Sequence, residues 1–325
     1  MIRTLTVMIA PPSFESTHQY LSRLGDIGFW RPYVSEILKR HGLGDAGSPL
    51  DAGFNATHPT FVCGNVVVKL FGHSRAWRQA YAAERAAQLL IATDPEIAAP
   101  RLLGEGQLHD NGNDGAAPWP YLITTRMHGV PWQCADLSGE QRRSIAAELG
   151  RQVKRVHALR PSEVATHEDW RSLNDIGPIR AANERSSLPP HLVAQIDEFL
   201  ARLEPFDRVF VHGDVVANHV YVENGHLAGI IDWGDAIVTD RHYELIQPHR
   251  DMFDCDKALL RVFLDASNWP VGNNFHRQAL GLALHRQTIG LAQHRSMDVF
   301  EPVAALFPLD DIATLDELAS ELFAV

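Results

Sequence analysis

Residues that could perform chemistry are spaced along one stretch of the chain, Val209 to Leu245. A first apolar run leads into His212-Gly213-Asp214, a second begins at His219, and a third ends just before Asp232. The pair Asn224-Gly225 separates the second and third runs and is a strong hairpin signal, because both residues tolerate positive φ. We therefore predict one small sheet that carries Asp214, His219 and Asp232 at the same end.

Carboxylates clustered with a histidine are unfavourable unless a cation lies among them. We therefore predict that this stretch binds a metal ion or takes part in proton transfer. The alternative is a polar loop whose groups satisfy one another beside a surface hairpin. Three such residues at one end of a sheet favour the chemical interpretation over this alternative.

A lysine inside an apolar strand is the second candidate. Lys69 directly follows three valines, and a lysine in such a place rarely lacks a partner. The next helix is predicted from an N-cap at Ser74 to about Ile91, with Glu84 on its packing face. The pattern predicts an ion pair between Lys69 and Glu84. The alternatives are a lysine that extends to solvent from a strand end and a glutamate in a surface salt bridge.

His212-Gly213-Asp214, a ligand position five residues after Asp214, and the sequence Ile-Asp-Trp-Gly-Asp-Ala around Asp232 resemble the catalytic core of the aminoglycoside phosphotransferases. That family is similar to choline kinases and, more distantly, to protein kinases. The resemblance implies that Asp214 accepts the proton of a substrate hydroxyl and that Asp232 binds Mg²⁺. Most members have asparagine at the second ligand position, where this chain has His219 after Asn218. The Asn-His pair resembles a branch of the family with histidine there, and neutral imidazole can bind a divalent ion although Mg²⁺ prefers oxygen.

The same resemblance implies nucleotide-binding roles in the first part of the chain. Lys69, held by Glu84, would contact the α- and β-phosphates. Gly53 would belong to a phosphate loop, although most single glycines simply form turns. The backbone near Thr125 to Met127 would form a hinge and meet the nucleotide base. The candidate acceptor contacts are Asp235, Asp251 and Asp254.

Composition restricts the classes of partner. With 325 residues, 45% hydrophobic and 21% charged, the chain has the size and composition of a soluble globular protein with one large or two medium domains. Its net charge of −11 argues against nucleic acid and anionic membranes as partners and is compatible with a cationic one. The three cysteines (Cys63, Cys134 and Cys255) predict neither disulfides nor a zinc site, which suits a cytoplasmic location. The N-terminal apolar run is too short for a signal peptide, and no stretch approaches the ~20 apolar residues of a membrane span.

Periodicity, caps and turn residues predict the elements that must position these side chains. Beyond the helix that carries Glu84, helices are expected at Phe29–Leu43, from Ser138 with a capping box at Gln141 to about Leu159, and at His191–Leu203, Lys257–Leu264, Phe275–His294 and Ala313–Phe323. Strands are expected at Thr60–Cys63, Val66–Phe71, Arg101–Gly104 and Pro120–Thr125. Residues 109–117 should form an exposed loop, and residues 160–190 a helical excursion with loops.

The resemblance implies an α/β (α+β) protein of two-lobed, protein-kinase-like fold. Residues 27–125 would form a small sheet-containing lobe that binds nucleotide, and residues 126–325 a larger helical lobe with the catalytic and acceptor-binding groups; residues 1–26 are unassigned beyond a strand and a helical turn. The implied cofactors are ATP, or GTP, and Mg²⁺. The acceptor would be a small cationic alcohol, an aminoglycoside-type amino sugar, and the activity would confer antibiotic resistance. The protein would be a monomer or a homodimer. A kinase for a metabolite alcohol and a catalytically silent kinase-fold binding protein, for which His219 is the argument, are the alternatives.

Overall fold

The structure is a computed structural model that describes residues 9–44, 47, 49–53, 57–73, 76–109, 118–161, 176–205, 207–292 and 298–325. The chain divides into two compact units, Met1–Ala92 with Pro100–Met127, and Thr93–Ala99 with His128–Val325. The main sheet lies in the first unit and most helices lie in the second, which confirms the predicted α/β class. Within the described residues, no helix combines the length and the apolar composition that crossing a membrane requires.

The first unit is built on an antiparallel sheet. Its described strands lie in the order β1-β2-β3-β5-β4. The elements are α1 (Thr17–Arg23), α2 (Ile27–His41), β1 (Asp51–Ala52), β2 (Thr60–Cys63), β3 (Val66–Leu70), α3 (Trp77–Ile91), β4 (Leu102–Gln107) and β5 (Pro120–Thr125). Residues 1–8 of the unassigned N-terminal segment, and so its predicted strand, lie outside the described residues, whereas its predicted helical turn is present as α1, capped by Ser16.

One face of this sheet is covered by α2. The side chains of Trp30, Val34 and Ile37 recur at helical spacing and are buried in the same cluster as Phe61 and Val68 of the sheet. Because side chains alternate along a strand, burial of Val66, Val68 and Leu70 on this side turns Lys69 of β3 to the opposite face. The strand that carries Lys69 is central, since it pairs with β2 on one side and β5 on the other.

The second unit is mainly helical. Its helices are α4 (Gly139–Ala158), α5 (Ile176–Asn183), α6 (Pro190–Val193), α7 (Ile196–Leu200), α8 (Ile246–Asp251), α9 (Lys257–Ser267), α10 (Phe275–Ala292), α11 (Glu301–Leu306) and α12 (Leu315–Phe323). Its strands are β6 (Val130–Pro131), β7 (Arg208–Val211), β8 (Val220–Glu223), β9 (His226–Ile230) and β10 (Ile237–Asp240). The capping box at Ser138 and Gln141 is present and begins α4, as predicted.

The predicted hairpin is present, but the predicted single sheet is wrong. Asn224 and Gly225 both have positive φ, 53° and 80°, and join β8 to β9. In the described part of the unit, β7 pairs with β10 in a two-stranded sheet, and β6, β8 and β9 form a separate one. Val211 of β7 lies opposite Ile237 of β10, so the backbone N–H and C=O groups of β7 find their partners in β10. Strand β10 is not among the strands predicted from the sequence, and without it the prediction placed β7 beside the hairpin.

Four further expectations differ from the structure or lie wholly or partly outside it. The helix expected at His191–Leu203 is two short helices, α6 and α7, because the N–H of Gln195 bonds to the carbonyl of Leu192 in a tighter 3₁₀ turn. The N-cap predicted at Ser74 lies outside the described residues, and α3 begins at Trp77. Residues 110–117 of the predicted loop and 162–175 of the predicted excursion also lie outside the described residues.

Helices α4 and α9 approach each other closely at a glycine. A Cβ placed on Gly150 would lie 2.4 Å from the carbonyl oxygen of Phe263 in α9. On either side of it along α4, Leu149 and Val153 are buried. Gly150 is therefore kept for close packing of two helices, in spite of its low helix propensity.

We predict that Gly150→Ala lowers the free energy of unfolding by about 1–3 kcal/mol, because the added methyl group forces the two helices apart. Urea unfolding monitored by circular dichroism measures this change. The matched control is Gly139→Ala at the start of the same helix, where a Cβ meets no atom within 4 Å. That control should be neutral or slightly stabilising; equal losses in both variants would contradict the packing argument.

Candidate active site

Strand β7 leads the motif His212-Gly213-Asp214 into a sharp turn. Gly213 has φ +81°, and a Cβ at this position would lie 2.2 Å from the carbonyl oxygen of Asp235. Only glycine accommodates both the backbone conformation and the close approach. The turn ends the strand at Val211 and brings Asp214 out of the ladder.

A buried carboxylate anchors the backbone of this turn. One oxygen of Glu244, Oε1, accepts hydrogen bonds from the backbone N–H of His212 at 2.7 Å and of Gly213 at 3.4 Å. The other oxygen, Oε2, lies 2.9 Å from Nε2 of His157. Burial alone would raise the pKa of Glu244, but the hydrogen bond and charge of His157 outweigh burial and lower the pKa. An ionised Glu244 thus holds the turn through charge-assisted hydrogen bonds.

The carboxylate of Asp214 lies among three donor side chains. Its Oδ1 accepts hydrogen bonds from Nε2 of Gln247 at 2.5 Å and from Nη2 of Arg286 at 3.0 Å. Its Oδ2 lies 3.3 Å from Nδ1 of His219. Burial alone would raise the pKa of Asp214, but these neighbours, His219 foremost, hold the pKa well below its usual range. Asp214 is therefore ionised at neutral pH, which a proton acceptor requires.

His219 lies between two carboxylates. Its Nδ1 is 3.0 Å from the backbone carbonyl oxygen of Asp214, and its Nε2 is 3.6 Å from Oδ2 of Asp232. Burial would lower the pKa of His219, but the hydrogen bond to Asp214 and the charges of Asp232 and Asp214 raise it to about 9. The backbone also ties the hairpin to the turn, since the N–H of Ile231 donates to the carbonyl of His219 at 2.9 Å. Asp214, His219 and Asp232 thus come together although the strands next to them, β7 on one side and β8 and β9 on the other, belong to two sheets.

The candidate magnesium ligands are His219 and Asp232, beside Asp214. In the neutral imidazole, an N–H at Nδ1 of His219 donates to the Asp214 carbonyl, and Nε2, directed towards Asp232, carries the lone pair. A metal ion at Nε2 would displace the proton that the two carboxylates stabilise in its absence. Among the described residues, no group of three or more His, Cys, Asp or Glu side chains is arranged to hold a metal. Two protein ligands are enough for Mg²⁺, which keeps several waters and shares phosphate oxygens with its substrate.

Of the predicted acceptor contacts, Asp235 and Asp251 belong to the electrostatic surroundings of Asp214. The side chain of Asp235 reaches solvent, yet loss of hydration beside the surrounding protein and the charges of Asp214 and Asp232 raise its pKa. Asp251 pairs with Nε of Arg250 at 3.0 Å. Burial and the charge of Asp214 still raise the pKa of Asp251. Both carboxylates therefore favour a cation nearby.

The third predicted acceptor contact is placed differently. Asp254 is exposed and forms an ion pair with Nη2 of Arg142 at 2.5 Å. The same guanidinium donates to the backbone carbonyl of Met252 at 2.6 Å. Among the described contacts, none joins Asp254 to Asp214 or its neighbours, and its acceptor role stays a prediction.

The predicted ion pair of the first unit is present. Nζ of Lys69 lies 2.7 Å from Oε2 of Glu84, and the two side chains are only 16% and 8% exposed. Glu84 lies on the buried face of α3 with Ala87 and Gln88. The pair joins α3 to the central strand of the sheet.

The other nucleotide-binding candidates occupy the sheet and its end. The N–H of Gly53 bonds to the carbonyl of Thr60 at 2.8 Å, next to β1. Thr125 is the last residue of β5 and accepts a hydrogen bond at Oγ1 from the N–H of Arg101. Met127 is the last residue of the first unit. The nucleotide-binding roles of Gly53, Thr125 and Met127 stay predictions.

Gln247 and Arg286, the two side chains that bind Oδ1 of Asp214, are not among the residues predicted from the sequence. Gln247 carried no signal, because a glutamine in a helix after a hairpin is ordinary. Arg286 did carry one, since it directly follows the largely apolar run Ala279–His285 inside a predicted helix. The criterion that singled out Lys69, a cation within an apolar segment, would have singled out Arg286 as well.

Several solved structures of phosphotransferases have a fold similar to that of this chain. The GDP complex of aminoglycoside 2'-phosphotransferase-IIIa is 16% identical, with a TM-score of 0.60 over 85% of this chain and 96% of that one. Macrolide 2'-phosphotransferase MphH from Brachybacterium faecium is 17% identical, with a TM-score of 0.59 over 86% and 98%. Aminoglycoside phosphotransferase APH(3'')-Id from Streptomyces rimosus, in complex with ADP and streptomycin, is 19% identical, with a TM-score of 0.53 over 80% and 98%.

The family follows from the sequence match. The model of the phosphotransferase enzyme family, APH, matches residues 55–273, which is more than half of the chain. The chain belongs to the phosphotransferase enzyme family. This match confirms the resemblance that the motifs around Asp214 and Asp232 indicated, and the similar structures confirm the kinase-like fold.

The ion pair of the first unit should be energetically coupled. We predict that Lys69→Met and Glu84→Gln each destabilise the protein, because either change leaves one buried charge without its partner. The double variant should lose less than the sum, with a coupling free energy of about 1–3 kcal/mol in urea unfolding. The control is the same cycle on the exposed pair Arg40–Glu36 of α2, at 2.9 Å, which should couple by less than about 0.5 kcal/mol. Additive losses at Lys69 and Glu84 would show that solvent screens this pair too.

The raised pKa of His219 predicts a pH-dependent stability of the metal-free protein. The protonated imidazole is stabilised by two carboxylates, so this contribution is fully present below about pH 6.5 and is lost as pH rises through about 9. In EDTA, His219→Asn should therefore lose less stability than the wild type between pH 6.5 and 9.5. Urea unfolding at the two pH values measures the difference.

The matched control is His226→Asn in the same hairpin. The side chain of His226 is 72% exposed, and solvent screens its ion pair with Glu148. This variant should keep the pH dependence of the wild type. If His219→Asn kept it as well, His219 would not be the group that titrates.

Proposed function

We propose that this protein is a small-molecule kinase that transfers the γ-phosphoryl group of ATP, or GTP, to a hydroxyl group of an aminoglycoside-type amino sugar. The observation that carries the proposal is the ionised carboxylate of Asp214, whose Oδ1 is held by two donors and whose Oδ2 lies beside His219. Membership of the phosphotransferase enzyme family supplies the reaction class. GDP and ADP in the complexes of similar structures support a purine nucleotide as the donor.

In this proposal each polar side chain has one task. Asp214 orients the acceptor hydroxyl and takes its proton late in the transfer, because the phosphoryl group reacts through a loose transition state. His219 and Asp232 would hold Mg²⁺, which would supply charge neutralisation at the phosphate oxygens. Lys69, kept in place by Glu84, contacts the phosphates of the nucleotide. Gly53, Thr125 and Met127 supply backbone contacts to the nucleotide. Catalysis of this kind depends mainly on positioning and on charge neutralisation.

The choice of a cationic acceptor rests on the carboxylates around Asp214. The pKa values of Asp235 and Asp251 are both raised by loss of hydration and by the neighbouring charge of Asp214. An ammonium group near them would relieve this repulsion. The net charge of −11 also favours a cationic acceptor, at longer range. Because these arguments concern charge and not shape, they favour a class of acceptor over a particular one.

Two alternatives use the same catalytic groups. A kinase for a metabolite alcohol would need Asp214, Asp232 and Lys69 in the same roles. The similar structure of a macrolide 2'-phosphotransferase adds a larger antibiotic to the acceptors worth testing. A catalytically silent binding protein is disfavoured, because the ionised Asp214 and the paired Lys69 are both retained.

A nucleotide-consumption assay tests the proposal. Purified protein with Mg²⁺ and ATP or GTP is incubated with aminoglycosides, macrolides, amino alcohols and neutral sugars, and Asp214→Asn serves as the blank. We expect turnover of an aminoglycoside, and kcat of the Asp214→Asn variant below about a tenth of the wild-type value with nucleotide binding kept, since an amide cannot accept the proton. Binding of the nucleotide is measured separately by calorimetry.

The assay also separates the alternatives. For a polycationic acceptor, KM should rise with ionic strength while kcat changes little, because salt screens the carboxylates. Efficient turnover of a neutral alcohol or a macrolide, with every aminoglycoside inert, would replace the proposed acceptor and keep the reaction class. An Asp214→Asn variant as active as the wild type would remove the proton-acceptor role.

A further inference from the structure

One buried arginine of the second unit makes its only described ion pair with Asp214. Arg286 lies on α10, its side chain is 6% exposed, and its Nη2 is 3.0 Å from Oδ1 of Asp214. The guanidinium carbon lies 4.8 Å from the centre of the Tyr243 ring, which it faces. Burial raises the pKa of Tyr243 to about 12, so the ring beside the arginine is a neutral phenol. Arg286 also lies beyond residues 55–273, the part of the chain that the family model matches.

Packing alone does not account for an arginine at this position. Two of its donors, Nε and Nη1, are buried and have no hydrogen-bond partner among the described residues. Buried donors without partners lower stability, and the stacking on Tyr243 offsets only part of that loss. A methionine of similar length would fill the space without unsatisfied donors. The interaction that arginine supplies and methionine cannot is the charge-assisted hydrogen bond to Asp214.

The two oxygens of Asp214 have different surroundings. Oδ1 accepts from both Arg286 and Gln247, at 3.0 and 2.5 Å, and these two donors approach it from α10 and α8. Oδ2 faces His219 at 3.3 Å. Two fixed donors on one oxygen set the side-chain rotation of the carboxylate and reduce the basicity of that oxygen. Oδ2 has one neighbouring donor, Nδ1 of His219, which is closer to the backbone carbonyl oxygen of Asp214, so Oδ2 keeps a lone pair for a substrate.

We propose that Arg286 is a positioning residue that, with Gln247, fixes Oδ1 of Asp214 so that Oδ2 accepts the proton of the acceptor hydroxyl. This inference rests on the proposed kinase function. In the transfer, the acceptor oxygen bonds to the γ-phosphorus, the bond from that phosphorus to the β-phosphate oxygen breaks, and the nucleoside diphosphate leaves with the electron pair. The hydroxyl proton moves to Oδ2. Asp214 becomes neutral and returns the proton to solvent after the product leaves.

The charge of Arg286 has a second consequence for the same carboxylate. Asp235 and Asp251 add negative charge around Asp214, and Arg286 opposes it at Asp214, Asp235 and Asp251 alike. Without this cation, mutual repulsion would favour turning the Asp214 side chain away from its neighbours. Loss of Arg286 should therefore misplace the carboxylate as well as remove one hydrogen bond.

The test compares Arg286→Met, Arg286→Lys and Gln247→Met with the wild type, each with Mg²⁺, nucleotide and the acceptor found in the assay above. We expect kcat to fall ~100-fold in Arg286→Met, since misplacement of a reacting group by about 1 Å has an effect of this order. KM for the nucleotide should change by less than about 3-fold, because Arg286 acts on Asp214. Arg286→Lys should recover part of kcat, and Gln247→Met should lose less than Arg286→Met.

The matched control is Arg277→Met on the same helix. Nε of Arg277 pairs with Oδ1 of Asp316 at 2.9 Å, and Arg277 also binds Asn274. This variant removes an arginine ion pair from α10 without touching Asp214, so it should keep wild-type kcat. If kcat fell equally in Arg277→Met and Arg286→Met, or stayed within 2-fold of wild type in Arg286→Met, the positioning role would be overturned. The same holds if Arg286→Lys recovered nothing relative to Arg286→Met.

A second measurement needs no substrate. The midpoint of urea unfolding is compared for Arg286→Met in the wild-type and Asp214→Asn backgrounds, with folding checked by circular dichroism. If the ion pair exists, Arg286→Met should lower the midpoint in the wild type and lower it less, or raise it, in Asp214→Asn. Equal shifts of the urea midpoint in both backgrounds would overturn the inference about Arg286. The proposed function would still stand if the wild-type protein turned over an acceptor. A wild-type protein inert with every acceptor would overturn the proposed function and, with it, this role.

Discussion

The ionised carboxylate of Asp214 is the constraint on which the second unit depends. A carboxylate removed from water is strongly unfavourable unless donors and cations replace its hydration. Here the replacements come from three parts of the chain: His219 from the turn that follows, Gln247 from α8 and Arg286 from α10. These elements must converge before the charge can be buried. Burial of this one charge therefore couples the helical packing to the position of the Asp214 carboxylate.

A second carboxylate, that of Glu244, fixes the backbone of the turn that carries Asp214. It binds the N–H groups of His212 and Gly213, and His157 of α4 holds it in turn. The side chain of Asp214 and the backbone that carries it are thus fixed by separate networks, one at the carboxylate and one behind the turn. This division explains how a left-handed glycine at the centre of the turn coexists with a well-placed side chain. Buried, charge-assisted hydrogen bonds from Glu244 hold the turn in this conformation.

Elements with strong local signals were predicted well. The Asn224-Gly225 hairpin, the capping box at Ser138 and the central strand with Lys69 depend on residues near one another in the chain, and all three are present. The errors concern choices made at long range. Strand β10 is only four residues long and becomes a strand by pairing with β7, and the helix expected at His191–Leu203 is divided where the side chain of Gln195 bonds to Ala313 and Leu315, far along the sequence.

Local sequence patterns were enough to predict the candidate site residues and their order: a lysine and a glutamate on successive elements, then Asp214, His219 and Asp232 around one hairpin. Local spacing is enough to bring Lys69 to Glu84, and separately to bring Asp214, His219 and Asp232 together. The tertiary structure alone decided how the charge of Asp214 is balanced, because Gln247 and Arg286 lie 33 and 72 residues further along the chain. It also decided that Asp254 faces Arg142 while Asp235 and Asp251 remain near Asp214. Spacing along a chain carries information about neighbours within a turn or a hairpin, whereas the partner of a buried charge is settled by which helices pack against it.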